Sequence, residues 1–289
     1  MSNAIELDIG FSPCPNDTFI FDALIHQRID TAPFRFRPQI ADVEELNKRG
    51  FAQKHPITKL SFYAYLLLKD HYDLLDSGAA LGYGCGPLLV ARKIEGQEIG
   101  GHNPISPEIG IVSPDCPDWI RDARIAVPGR YTTAYLLLQI WQGSCGRAEF
   151  VRFDEILPGV ASGKYDAGLI IHEGRFVYQK YNCLKIVDLG QWWESETGLP
   201  LPLGCIALRR DMFRYKEAVE TLLRQSVQQA MKNPGAANEF IKLHAQELDD
   251  QVISDHISLF VNEFTLSLGQ TGMRAIEALE ERARCQGIL

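Results

Sequence analysis

A chain of 289 residues is long enough for two compact lobes or one large α/β unit. Its 46% apolar and 23% charged residues argue against disorder. A formal net charge of −8 with no Lys/Arg cluster argues against a nucleic-acid surface, and no apolar run approaches the roughly 20 residues of a membrane helix.

The start of the chain runs straight into a strand pattern, with no basic n-region and no h-region, which predicts a cytoplasmic protein. Seven cysteines, none in a CxxC pair, predict reduced and mostly buried thiols, not a disulfide framework or a zinc site. The sequence leaves the oligomeric state open, a monomer included.

Ile5 to Phe11 alternates and predicts the first strand. Two prolines in Ser12-Pro13-Cys14-Pro15-Asn16-Asp17-Thr18 exclude a helix until after Pro15, so Asn16, Asp17 or Thr18 caps a helix from Phe19 to His26. A helix start offers unpaired N–H groups to an anion, although simple strand-to-helix punctuation is the stronger reading of these residues taken alone. Cys14 has no evident partner nearby. Phe34 to Ile40 predicts a second strand, and Asp42 caps a short helix from Val43 to Arg49. A third strand, Ile57 to Leu60, ends at Ser61 before a helix from Phe62 to Lys69, so Lys59 and Ser61 are candidate pocket groups at a strand tip. Ser61 reads equally as a helix cap.

The glycine-rich Leu81-Gly82-Tyr83-Gly84-Cys85-Gly86-Pro87 precedes the strand Leu88 to Ala91. A dinucleotide fingerprint must follow a strand and open a helix, so this is a loop where backbone closely approaches a ligand or another segment. From Lys93 to Asp122 prolines and glycines predict a crossing between lobes or a surface excursion. Arg124 to Val127 is a strand of a new α/β unit, followed by Pro128-Gly129 and a helix from Tyr135 to Trp141. Thr132 and Thr133 put two hydroxyls beside that helix start, either as a carboxylate cradle or as plain caps. Glu149 to Phe153 predicts a strand and Glu155 to Ala161 a helix.

The run Leu169-Ile170-Ile171-His172 is a buried strand whose last side chain emerges at its carboxyl end, where α/β sheets bind ligands. A histidine there suits a general base; it suits equally the capping of a helix end or a buried carbonyl. Glu173 and Arg175 either orient that ring or the ligand, or face solvent. Trp192 and Trp193 read as lobe packing, with stacking on a planar ring as the alternative. Leu199 to Leu208 returns the chain to the first lobe, and the helical remainder reads as scaffold. The expected architecture is α/β, with residues 1–112 and 206–289 as one lobe, residues 113–205 as the other, and a ligand cleft between them.

Ser12-Pro13-Cys14-Pro15-Asn16-Asp17-Thr18-Phe19, Lys59-Leu60-Ser61, Gly82 to Leu88, Pro128 to Ala134 and Ile170 to Phe176, in that order, resemble the 1,4-dihydroxy-6-naphthoate synthases of the futalosine route to menaquinone. The resemblance runs to about Leu208. It implies a two-lobe periplasmic-binding-protein-like (type II) fold without a transport role. It also implies conversion of cyclic dehypoxanthinylfutalosine to 1,4-dihydroxy-6-naphthoate by a carbon–carbon lyase reaction that needs no metal or cofactor. His172 takes the family's proton-acceptor role. Lys59, Leu60, Ser61, Thr133 and Ala134 take its substrate contacts. Beside these, Thr132, Asn16 and Asp17 are candidate contacts from the residue reading, for a small-molecule substrate carrying an aromatic carboxylate and a sugar-derived ring. The competing readings are a chorismate dehydratase of the same route and a non-catalytic binding protein for a small organic anion.

Overall fold

The computed structural model describes residues 4–93, 117–143, 147–245 and 249–289. Their strands are β1 Ile5–Phe11, β2 Phe34–Ile40, β3 Ile57–Ser61, β4 Tyr72–Leu74, β5 Ala80–Gly82, β6 Leu88–Arg92, β7 Arg124–Val127, β8 Arg147–Phe150, β9 Ala167–Ile170, β10 Cys183–Asp188 and β11 Leu201–Arg209. They form two sheets. One has the order β2-β1-β3-β11-β4, with β5 also on β11; the other has the order β10-β6-β9-β7-β8. The expected pair of α/β lobes is therefore present.

The parallel strands β1, β2 and β3 are joined by helices, as parallel neighbours must be. Helix Pro15–Ile25 follows β1 and helix Val43–Phe51 follows β2. In the second sheet β7 runs parallel to both β8 and β9, and helices Thr133–Gln142 and Phe153–Ala161 fill the connections. Every strand residue from Ile57 to Ser61 is buried, which fits a central strand covered on both faces. Leu7, Ile9 and Phe11 pack with the long helix Lys216–Lys232 in one core. A second core runs between the sheets, joining Leu60 and Cys205 of the first to Leu89, Ile125 and Leu169 of the second.

Several local expectations are corrected. Pro15 opens its helix instead of preceding it, because the first helical N–H has no intrahelical acceptor to lose; Cys14 is the cap residue, and neither Asn16 nor Asp17 caps. β8 ends at Phe150, where its partner β7 ends at Val127, and Phe153 begins the next helix. The lobe boundary expected at 112–113 lies outside the described residues. By strand pairing, Leu88–Arg92 already belongs to the second sheet and all of Leu201–Arg209 to the first. Both changes of sheet thus come earlier in the chain than 113 and 206: one through Tyr83–Pro87, the other between Asp188 and Leu201. Trp193 is fully buried and donates Nε1–H to Pro200 O, so it packs the lobes.

Among the described residues no helix is long and apolar enough to cross a membrane.

Candidate active site

A cleft opens between the sheets, with about 640 Å³ of empty space counting what is open to solvent. From the first lobe it receives Asn16, Lys59, Ser61, Gly204 and Phe260; from the second, Thr132, Thr133, Ala134, His172 and Arg175; and from the crossing loop, Cys85, Gly86 and Pro87. Among the described residues two side-chain cations line it and no carboxylate does.

The alternation of β3 explains part of this wall. Lys59 and Ser61 are two residues apart and face the cleft together, while Leu60 faces the other way into the core between the sheets. The side chain of Leu60, expected to touch substrate, is fully buried there. Lys59 is anchored by an ion pair with Asp17, whose carboxylate also accepts from Ser12 N, Ser12 Oγ and Asn16 Nδ2. Asp17 is completely buried and does not line the cleft; it holds Lys59 from behind. Ser61 occupies the cap position of the following helix, but its side chain makes no capping bond there. Its Oγ accepts from Asn47 Nδ2 at 3.0 Å, which leaves the hydroxyl proton available.

Neither threonine hydroxyl is free in the way a carboxylate cradle requires. Thr132 Oγ1 donates to Gly129 O and accepts from Tyr135 N, an ordinary cap. Thr133 Oγ1 donates to Leu203 O at 2.7 Å and accepts from Tyr63 N, so it joins the lobes. What this corner offers an anion is the start of helix Thr133–Gln142, where the first amides have no intrahelical acceptor.

His172 lies two residues past β9 with φ +54°, a left-handed backbone that a histidine seldom adopts. This turn aims the ring back into the cleft. Cys14 Sγ lies 3.5 Å from its Nδ1, and Phe153 packs edge-on against the ring at 5.2 Å between centroids. Among the described residues none bonds Nε2. Burial first, and then the Lys59 cation, hold the imidazole pKa down to about 4, with Asp17 opposing. The ring is therefore neutral near pH 7, the state in which it can accept a proton. Burial also pushes the Cys14 thiol up, aided by Glu173 and Asp17, so that sulfur stays protonated.

Two contributors come from the helical tail. Phe260 lines the cleft, and His256 donates from Nε2 to Asn16 Oδ1 at 3.0 Å while its ring lies over that of His172 at 6.3 Å. Both sit on helix Asp250–Phe260 with Ile253, at i, i+3 and i+7 of the buried face. That spacing was the available signal, and it marks a buried histidine without saying what it touches. Arg175 donates to Gly86 O and to Asp188, so it fixes the crossing loop while lying along the cleft.

A family model described as menaquinone biosynthesis matches residues 7–285. The chain is 45% identical to a 1,4-dihydroxy-6-naphthoate synthase of Thermus thermophilus, over 98% of this chain and 95% of that one. It is 39% identical to the protein of the same name from Streptomyces coelicolor, over 99% and 96%. The crystal structure of a protein from Archaeoglobus fulgidus superposes with a TM-score of 0.86 at 33% identity, covering 98% of both chains. The alkanesulfonate-binding protein of Xanthomonas axonopodis pv. citri superposes at 0.69 with 12% identity, over 100% of this chain and 96% of that one, which speaks for the shared periplasmic-binding-protein-like fold alone.

Proposed function

The chain belongs to the menaquinone-biosynthesis family, and we propose that it converts cyclic dehypoxanthinylfutalosine to 1,4-dihydroxy-6-naphthoate as a carbon–carbon lyase. The observation that carries this reading is the composition of the cleft: two cations, helix-start amides, no carboxylate, and one neutral imidazole. An aromatic carboxylate needs such a wall, and a deprotonation needs such a base.

In this reading the amides of Thr133 and Ala134 and the Lys59 ammonium bind the substrate carboxylate, while Ser61 donates its hydroxyl proton to a sugar-derived oxygen. Asn16, with one amide hydrogen beyond its bond to Asp17, makes a further polar contact. His172 removes the proton that starts ring fragmentation and aromatisation. Nδ1 faces Cys14 Sγ; in the tautomer this role requires, Nδ1 carries the hydrogen and Nε2 is the acceptor. Closure of the lobes excludes water from the site.

A chorismate dehydratase shares the architecture, so the test is a substrate panel. The purified chain is incubated separately with cyclic dehypoxanthinylfutalosine and with chorismate, and products are followed by absorbance and mass. Naphthoate formed from the first alone supports the proposal. Consumption of chorismate alone, or binding of both without turnover, overturns it.

A further inference from the structure

We propose that Glu44, on the first turn of helix Val43–Phe51, is a positioning residue that seats the substrate wall of the second lobe against that of the first. This deepens the reading above and rests on it for its kinetic test. The Glu44 side chain crosses the gap between lobes. Its Oε1 accepts from Arg130 N at 2.9 Å and its Oε2 from Tyr131 N at 3.1 Å. These amides belong to the turn that leads into Thr132, Thr133 and Ala134. Glu44 is only 7% exposed.

Two independent observations give the contact its purpose. First, the turn is shaped to admit the carboxylate: a methyl on Gly129 would stand 2.5 Å from the Glu44 carboxyl carbon. Second, the same carboxylate reaches the opposite wall. Asn47 Nδ2 donates to both Glu44 Oε2 and Ser61 Oγ, and Asn47 Oδ1 accepts from Ser61 N. One carboxylate and one amide therefore join Ser61 of the first lobe to the Arg130–Ala134 turn of the second. Phe51, at the far end of the same helix, packs against Tyr131 with the rings tilted and their centroids 4.3 Å apart, and adds to the grip. When the lobes part, the turn loses both acceptors, and its helix-start amides lose their position relative to Ser61.

The test compares wild type with Glu44→Gln and Glu44→Ala. Glutamine keeps the size but has one acceptor oxygen and sets an NH₂ against a backbone N–H. Loss of one charge-assisted bond across the gap raises KM about tenfold, with kcat at saturating substrate within a few-fold of wild type. Gly129→Ala raises KM in the wild-type background and much less beside Glu44→Ala, where the space is vacant. Small-angle scattering of the unliganded proteins needs no substrate and shows a larger radius of gyration for Glu44→Gln. If wild type does not turn over the cyclic substrate, the proposed reaction fails, and scattering alone then decides the role of Glu44. KM unchanged in both Glu44 variants, a fall in kcat alone, or identical scattering profiles overturns the positioning role.

Discussion

Cys14 Sγ of the first lobe and Nδ1 of His172 in the second lie 3.5 Å apart, although 158 residues separate them in the chain. The contact directs one ring nitrogen into protein and leaves the other for the cleft. It also places the imidazole where burial and Lys59 resist a positive charge.

The first prediction follows from that environment. The ordinary histidine value is 6.5 and His172 is held down to about 4. In the proposed role of base, His172 stays neutral as pH falls through 6.5, so kcat/KM has no acid limb from it near 6.5 and declines only toward pH 4. Stability moves with the same sign. Between about 6.5 and 4 the unfolded chain binds a proton that the folded chain does not, so stability falls as pH drops through that window and is unaffected by this group above it. His256, held well below 6.5 by burial, acts in the same direction. Rate profiles from pH 4 to 8, with imidazole NMR, check this; a His172 titration at 6 to 7 contradicts it.

The Lys59–Asp17 pair supplies the second. Both side chains are buried, at 6% and 0% exposure. Removing either partner strands a charge, so Asp17→Asn or Lys59→Met each lowers stability by about 3–5 kcal/mol. The double variant costs much less than the sum, because no uncompensated charge remains. Urea unfolding of the four proteins measures the coupling; additive losses count against it.

The crossing loop gives a third. A Cβ at Gly86 would meet the Gly190 backbone at 2.3 Å, whereas Gly84, with φ +67°, has nothing within 4 Å. Gly86→Ala overpacks backbone against backbone and costs about 1–3 kcal/mol. Gly84→Asn keeps a residue that tolerates the left-handed region and costs less. Thermal unfolding ranks the two, and equal losses would refute the packing argument.

That glycine shows how far the residues could be read unaided. The stretch Gly82 to Gly86 announces a close backbone approach. It does not say that the partner is Gly190, because the contact joins segments about a hundred residues apart. The alternating strand around Lys59 and Ser61 was legible for a local reason: residues two apart on a strand share a face. The same rule puts Leu60 in the core. The hydroxyls of Thr132 and Thr133 were visible as donors, but the partner of Thr133 at Leu203 depends on how the lobes meet. Glu44 and His256 were missed for that reason too. Each looks like an unremarkable residue on an amphipathic helix until the second lobe, or the Asn16 turn, is set against it.

The central claim is that His172 carries the proton transfer in a cleft that binds substrate by other groups. Measuring turnover of cyclic dehypoxanthinylfutalosine by His172→Ala, alongside calorimetric binding of the same compound, tests it most directly. The account predicts a rate lowered about 10²–10⁴-fold with binding retained. A variant that forms naphthoate at the wild-type rate would contradict it.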